Sequence, residues 1–211
     1  MEMFFQDKNL GPIRNIQVSI AGKERHYGGK VALYITFLDG NNNSSKVVYK
    51  PRSLLPEIYL EDFLETLNDK NPRPILNCTN HGYDSFIEGA HLCNEDQDLE
   101  LELIKLIDKN DVITENIHLI YTLAKIGFED THQENFIINN KGYLFFIDAE
   151  IFCTNFSKNL SALLEEVEKK LEAEKKELFN INLNRFLKKL KSIPTRLIFC
   201  GTDNYLNLIY L

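Results

Sequence analysis

Residues 136–147 constrain the chain most. Two apolar runs, Phe136-Ile137-Ile138 and Tyr143-Leu144-Phe145-Phe146-Ile147, flank Asn139-Asn140-Lys141-Gly142, whose residues tolerate positive φ in a tight turn. The pattern predicts a β-hairpin. Asp130, His132 and Asn135 precede its first strand, and Asp148 and Glu150 follow its second. A hairpin brings these five side chains to one edge. Carboxylates and an Asn amide at the mouth of a small sheet are hard oxygen donors suited to Mg²⁺. This is a layout for phosphoryl transfer, in which the protein positions nucleotide and metal rather than doing covalent chemistry.

Upstream, alternation over residues 12–20 predicts a strand, and residues 31–38 form a β-branched and aromatic second one. A glycine-bearing loop, residues 21–30, joins them. A turn at Asp39-Gly40 leads to a third strand, residues 46–50, ending in Lys50-Pro51-Arg52. Glycine lets backbone N–H groups approach phosphate, and Lys50 supplies a point charge. A plain meander with a surface lysine fits the same residues. Residues 57–69 have helical apolar spacing, and Glu61 or Glu65 is placed either to pair with Lys50 or to face solvent. Asn71-Pro72-Arg73-Pro74 ends that helix. Residues 75–78 and 83–87 read as strands around Asn80-His81-Gly82, with a hinge at Glu88-Gly89. Helices are predicted over 96–108, 112–126, 160–178 and 183–190, and a strand turning into a short helix over 196–209. His81, His91 and His118 lack ligand spacing and read as surface or satisfied core residues.

The 211 residues suffice for one large domain or two small lobes around a cleft. The net charge of −7, with bases interleaved among acids, argues against a nucleic-acid partner. Cys78, Cys93, Cys153 and Cys200 form no Cys-x-x-Cys pair, which argues against a zinc knuckle or disulfide framework and fits reduced cytosolic thiols. The N-terminus lacks a signal-peptide pattern, and no apolar run is long enough for a transmembrane segment. The expected location is cytoplasmic.

Several segments together resemble one family. Val48-Tyr49-Lys50-Pro51-Arg52-Ser53-Leu54, Tyr83-Asp84-Ser85-Phe86-Ile87-Glu88, Asp130-Thr131-His132-Gln133-Glu134-Asn135 and Ile147-Asp148-Ala149-Glu150 occur in the order found in the dehydratase domain of class II (LanM-type) lanthipeptide synthetases. The resemblance runs from about Gly22 to the C-terminus. It implies an α+β, two-lobed protein/lipid-kinase-like fold, with a β-rich N-lobe over about 1–88 and a mainly helical C-lobe over about 89–211. It implies that ATP, with Mg²⁺, phosphorylates Ser or Thr of a ribosomally made precursor peptide, and that the phosphate is then eliminated to leave a dehydroamino acid. By the same resemblance, Lys50 and Glu88 contact the nucleotide. Asp130 is the catalytic-loop acid, with His132 beside it. Asn135 and Asp148 hold Mg²⁺, with Glu150 as a further ligand. Arg196 and Thr202 match residues tied to elimination, where a cation near the leaving phosphate is chemically sensible.

The sequence departs from that family in two places. Where the family carries Gly-Asp-x-His, this chain has Gly22-Lys23-Glu24-Arg25, with His26 one position off. Near the end, Cys200-Gly201-Thr202 stands where the family often has a second arginine and Pro-Thr. The chain reads as a dehydratase core without the preceding helical region or the zinc-dependent cyclase domain, so a separate cyclase or a complementing synthetase chain is an expected partner. A kinase that does not eliminate, and a degenerate pseudokinase-like nucleotide- or peptide-binding module, are the alternatives.

Overall fold

Strand alternation in the N-terminal part builds an antiparallel sheet. The computed structural model of the chain describes residues 4, 10–22, 29–67, 72–94, 96–109, 111, 113–126, 133–149 and scattered positions between 165 and 181. The chain divides into two compact units. One holds residues up to Ile58 together with Arg73–Phe86, and the other holds Tyr59–Pro72 and residues from Ile87 on.

In the first unit, β1 (Ile13–Ile20), β2 (Leu33–Asp39), β3 (Ser44–Lys50), β4 (Ile75–Asn77) and β5 (Gly82–Ser85) form a five-stranded sheet in the order β1-β2-β3-β5-β4. Every neighbouring pair is antiparallel. Residues two apart on a strand share a face, so Ile35 and Phe37 of β2 meet Val47 of β3. With Phe4, Leu76 and Tyr83 they make the core of this unit. Alternation leaves Tyr34, Lys46, Val48 and Lys50 on the opposite face.

Asp39 organises the β2–β3 turn. Its carboxylate accepts N–H bonds from Gly11 (3.0 Å), Asn41 (2.8 Å) and Asn43 (2.9 Å), and one from the Asn43 amide (2.9 Å). The Asn43 amide is the main reason its carboxyl is held below the usual 3.8, the backbone donors adding to it against the opposing effect of burial. The chain then leaves β3 because Pro51 has no N–H to continue the ladder. It enters α1 (Leu55–Glu65) with Pro56 in the first turn, where a missing N–H costs nothing. The helix therefore begins two residues before the expected position 57. Gly82 makes room for this entry: a Cβ there would lie 2.5 Å from Leu54 Cδ1.

The second unit contains α2 (Leu99–Ile107), α3 (Thr114–Ile126) and a three-stranded sheet ordered β6-β7-β8 (Gly89–His91, Phe136–Asn139, Leu144–Phe146). Leu103, Leu106 and Ile107 of α2 are buried on one stripe, whereas every residue of α3 from Asn116 to Ala124 is buried. Asp98 caps α2 by accepting the Leu101 N–H at 3.3 Å. The expected hinge, Glu88-Gly89, falls beside the division between the units at Phe86 and Ile87. β6 starts at its second residue, because Gly89 permits the approach to β7: a Cβ there would lie 2.3 Å from the Ile138 carbonyl oxygen. Val167 and Leu171, from the predicted 160–178 helix, are buried. Residues 165, 167–169, 176 and 177 are helical, and the other residues of that stretch except Leu171, with everything predicted beyond residue 181, lie outside the described residues.

The architecture is α+β, with the larger sheet in the N-terminal part. Among the described residues no helix is long and apolar enough to cross a membrane. Because Asp39 has a depressed folded pKa, its contribution is present above the unfolded value of 3.8 and is lost as pH falls through the folded one. Asp39→Ala is therefore expected to lower the thermal midpoint at pH 7, with the gap to the native chain closing below pH 3.8. A gap independent of pH, followed by circular dichroism, contradicts this.

Candidate functional site

Lys50 ends β3 opposite Gly82, and Asp84 lies two residues further along β5, opposite Val48. Lys50 and Asp84 therefore share a face as diagonal neighbours, within reach of a long side chain. The Lys50 ammonium stands 3.4 Å from Asp84 Oδ2 and 3.3 Å from Glu57 Oε1 of the first turn of α1. Arg52 grips the same Glu57 with both terminal nitrogens, Nη1 reaching Oε2 at 3.0 Å and Nη2 reaching Oε1. Arg73 Nε stands 3.4 Å from Asp84 Oδ1. The charges thus alternate along a chain from Arg73 through Asp84, Lys50 and Glu57 to Arg52. All five are buried, Glu57 completely.

The loop before α1 is pinned so that this chain can form. Asn77 of β4 accepts the Leu54 N–H at 2.8 Å and the Ser53 hydroxyl at 3.2 Å. Arg52 Nη1 donates to the Ser53 carbonyl at 3.0 Å. The first turn of a helix also favours an acid through the helix dipole, which suits Glu57. Burying ions costs several kcal/mol each before pairing, and well-packed apolar residues often serve stability as well or better. Ionised groups gathered this way at a strand end are a functional-site candidate.

The hairpin of the second unit supplies another polar edge. Asn139 Oδ1 accepts from Lys141 and Tyr143 N–H groups, both at 3.0 Å, and Gly142 takes the positive φ of 83°. Asn116, buried on α3, donates to the Gly142 carbonyl at 2.9 Å and accepts the Leu144 N–H at 2.8 Å. It fastens the turn to the helix. At the open end, the Phe136 and Phe146 rings lie 5.1 Å apart, and Ile147 donates to the Asn135 carbonyl at 3.0 Å. The pairing thus runs one residue past each strand and leaves Asp148 next to Asn135's partner. Asn135 is buried at the end of a 3-10 turn, Gln133–Asn135.

Of the expected site residues, Lys50 sits in the buried charge chain, and Asn135 and Asp148 both stand at the hairpin's open end, where Asn135 pairs with Ile147. Glu88 is exposed just before β6. Asp130, His132, Glu150, Arg196 and Thr202 lie outside the described residues. Among the described residues no three His, Cys, Asp or Glu side chains converge on one point, and only two of the expected Mg²⁺ ligands fall within them. An acid from α1 does reach Lys50, but it is Glu57, one turn before Glu61. Arg52, Arg73, Asp84 and Asn116 were not anticipated as site residues. Burial, with Glu102 and Asp98 nearby, pushes the Cys93 thiol pKa up, which disfavours the thiolate.

The family model for a domain of unknown function, DUF4135, matches residues 1–182. The chain belongs to the DUF4135 family. No curated protein matches it. The DUF4135 match contains the Lys50 charge chain and the Asn135–Asp148 edge, whereas Arg196 and Thr202 lie beyond it.

Glu57→Gln leaves the buried Arg52 and Lys50 facing a neutral amide. A loss of roughly 3–5 kcal/mol in unfolding free energy is expected from denaturant titration. An unchanged midpoint contradicts the buried ion-pair geometry.

Proposed function

We propose that this chain is the kinase-like core of a lanthipeptide-type dehydratase, acting on Ser and Thr of a precursor peptide with ATP and Mg²⁺. The observation that carries the reading is the buried pair of Lys50 at the end of β3 with Glu57 on the following helix, 3.3 Å apart. A lysine held by a helix glutamate is the arrangement that protein kinases use on nucleotide phosphates. The resemblance of Lys50-Pro51-Arg52-Ser53-Leu54 and of the segments around Asp130 and Asp148 to class II lanthipeptide synthetases gives the substrate class.

Lys50 binds the ATP phosphates. Val48 and Tyr34, cross-strand partners on the same face of the sheet, offer an apolar surface to the base beside Phe86, whose ring stands edge-on to Tyr34 at 5.5 Å with the Lys46 ammonium 4.2 Å above it. Glu88 is a further nucleotide contact. Asn135 and Asp148, hard oxygen donors at the open end of the hairpin, fit Mg²⁺, with Glu150 as a third ligand. When bound, the ion offsets the charge of the phosphate oxygens. Asp130 takes the proton of the substrate hydroxyl, with His132 beside it. The hydroxyl oxygen bonds the γ-phosphorus as the bond to ADP breaks. In the second step the phosphorylated residue loses its α-proton and inorganic phosphate, and Arg196 and Thr202 accommodate the leaving phosphate. Such a chain works in the cytoplasm. Gly22-Lys23-Glu24-Arg25 in place of Gly-Asp-x-His favours a second reading, a kinase that stops at the phosphopeptide.

Mass spectrometry of a Ser/Thr-rich precursor peptide incubated with the protein, ATP and Mg²⁺ separates these readings. Loss of one water per modified residue is the dehydratase result, and gain of one phosphate is the kinase result. Asp148→Asn or removal of Mg²⁺ should leave the peptide unmodified, and Arg196→Ala should accumulate phosphopeptide. A peptide unmodified under every condition contradicts both enzyme readings, and Arg196→Ala blocking phosphorylation contradicts its assignment to elimination.

A further inference from the structure

Lys50 is held by Asp84 as closely as by Glu57, at 3.4 and 3.3 Å, and the roles assigned above leave Asp84 unused. Its placement is rigid. β5 lies between β3 and β4, so Asp84 is fixed by Val48 on one side and Ile75 on the other. Its second carboxylate oxygen stands 3.4 Å from the buried Arg73 guanidinium. Glu57, by contrast, is carried by a helix and oriented by Arg52. A lysine ammonium is a point charge on a flexible four-carbon stem. A single carboxylate leaves it free to swing about one contact, whereas two carboxylates from separate elements set its position. Small displacements of a group that positions a reacting phosphate cost rate steeply.

We infer that Asp84 is a positioning residue: braced by Arg73, it fixes the Lys50 ammonium jointly with Glu57, so that Lys50 meets the nucleotide phosphates at one set point. This rests on the reading of Lys50 as a phosphate-binding group. Asp84 itself touches no substrate. Asp84→Asn keeps the shape of the side chain and removes the charge, so the ammonium loses its anchor on the sheet while Glu57 remains.

Steady-state transfer from ATP·Mg²⁺ to a synthetic Ser/Thr-rich peptide tests this. Asp84→Asn is expected to lower kcat by about 10- to 100-fold while KM for ATP stays within about threefold. A merely structural role lowers the thermal midpoint and the amount of active protein, but leaves kcat per active molecule in place. Asp84→Glu, which restores a carboxylate, should recover part of the kcat that Asp84→Asn loses. Arg73→Lys, which keeps the charge but not the guanidinium plane, should lower kcat in the same direction by less, and it decides the matter if Asp84→Asn does not fold. As a readout apart from turnover, the yield of Lys50 acylation by an ATP analogue with an acyl group on its terminal phosphate, mapped by mass spectrometry, should fall in both variants. Transfer by the native chain with neither variant changing kcat per active molecule or the acylation yield overturns the role of Asp84 and leaves the kinase-like reading standing. Absence of transfer by the native chain overturns both.

Discussion

Everything assigned to the first unit depends on keeping Lys50 charged and fixed inside the protein. An ammonium in a buried position is tolerated only with anionic partners at short range. The fold supplies them from two directions, Asp84 from the adjacent strand and Glu57 from the following helix. Each carboxylate then needs its own cation, which accounts for the buried Arg73 and Arg52. Local features that otherwise look unrelated serve this chain. Pro51 ends β3 at Lys50. Pro56 starts α1 early enough to put Glu57 in its first turn. Gly82, opposite Lys50, leaves space for Leu54 and thereby for the helix entry.

The second unit positions its polar edge through backbone pairing and an amide side chain. Its polar edge is built on a hairpin of only four and three residues, too short to be stable alone. Asn116 compensates by bonding, from α3, the Gly142 carbonyl and the Leu144 N–H where the turn enters β8, and β6 adds a third strand through Gly89. Backbone pairing that continues past the strand ends sets Asn135 opposite Ile147, with Asp148 as the next residue of the chain.

Features with local causes were legible in the sequence. The Asn139–Gly142 turn, the alternation of β1 to β3 and the apolar stripe of α2 each depend on neighbours a few residues apart. β6 was not legible, because Gly-Ala-His has neither alternation nor β-branched residues, and what makes it a strand is a close approach to a carbonyl 49 residues away. Glu57 was passed over because the helix was expected to begin there, and a first residue was not expected to turn inward to Lys50. Asp84 and Arg73 depend on strand register between distant segments, and a buried acid on a short strand looks like any surface acid until its partners are known. Resemblance of motifs pointed to Lys50, Asn135 and Asp148 but carried no information about what holds them.

The claim on which the account turns is that Lys50 stands at the phosphates of a bound nucleotide. An ATP analogue with an acyl group on its terminal phosphate transfers that group to the lysine amine beside it, and peptide mapping identifies the lysine. The account predicts that Lys50 is acylated ahead of the chain's other lysines and that free ATP with Mg²⁺ protects it. Acylation spread over surface lysines such as Lys105 and Lys141, with Lys50 unmodified and no protection by ATP, would contradict it.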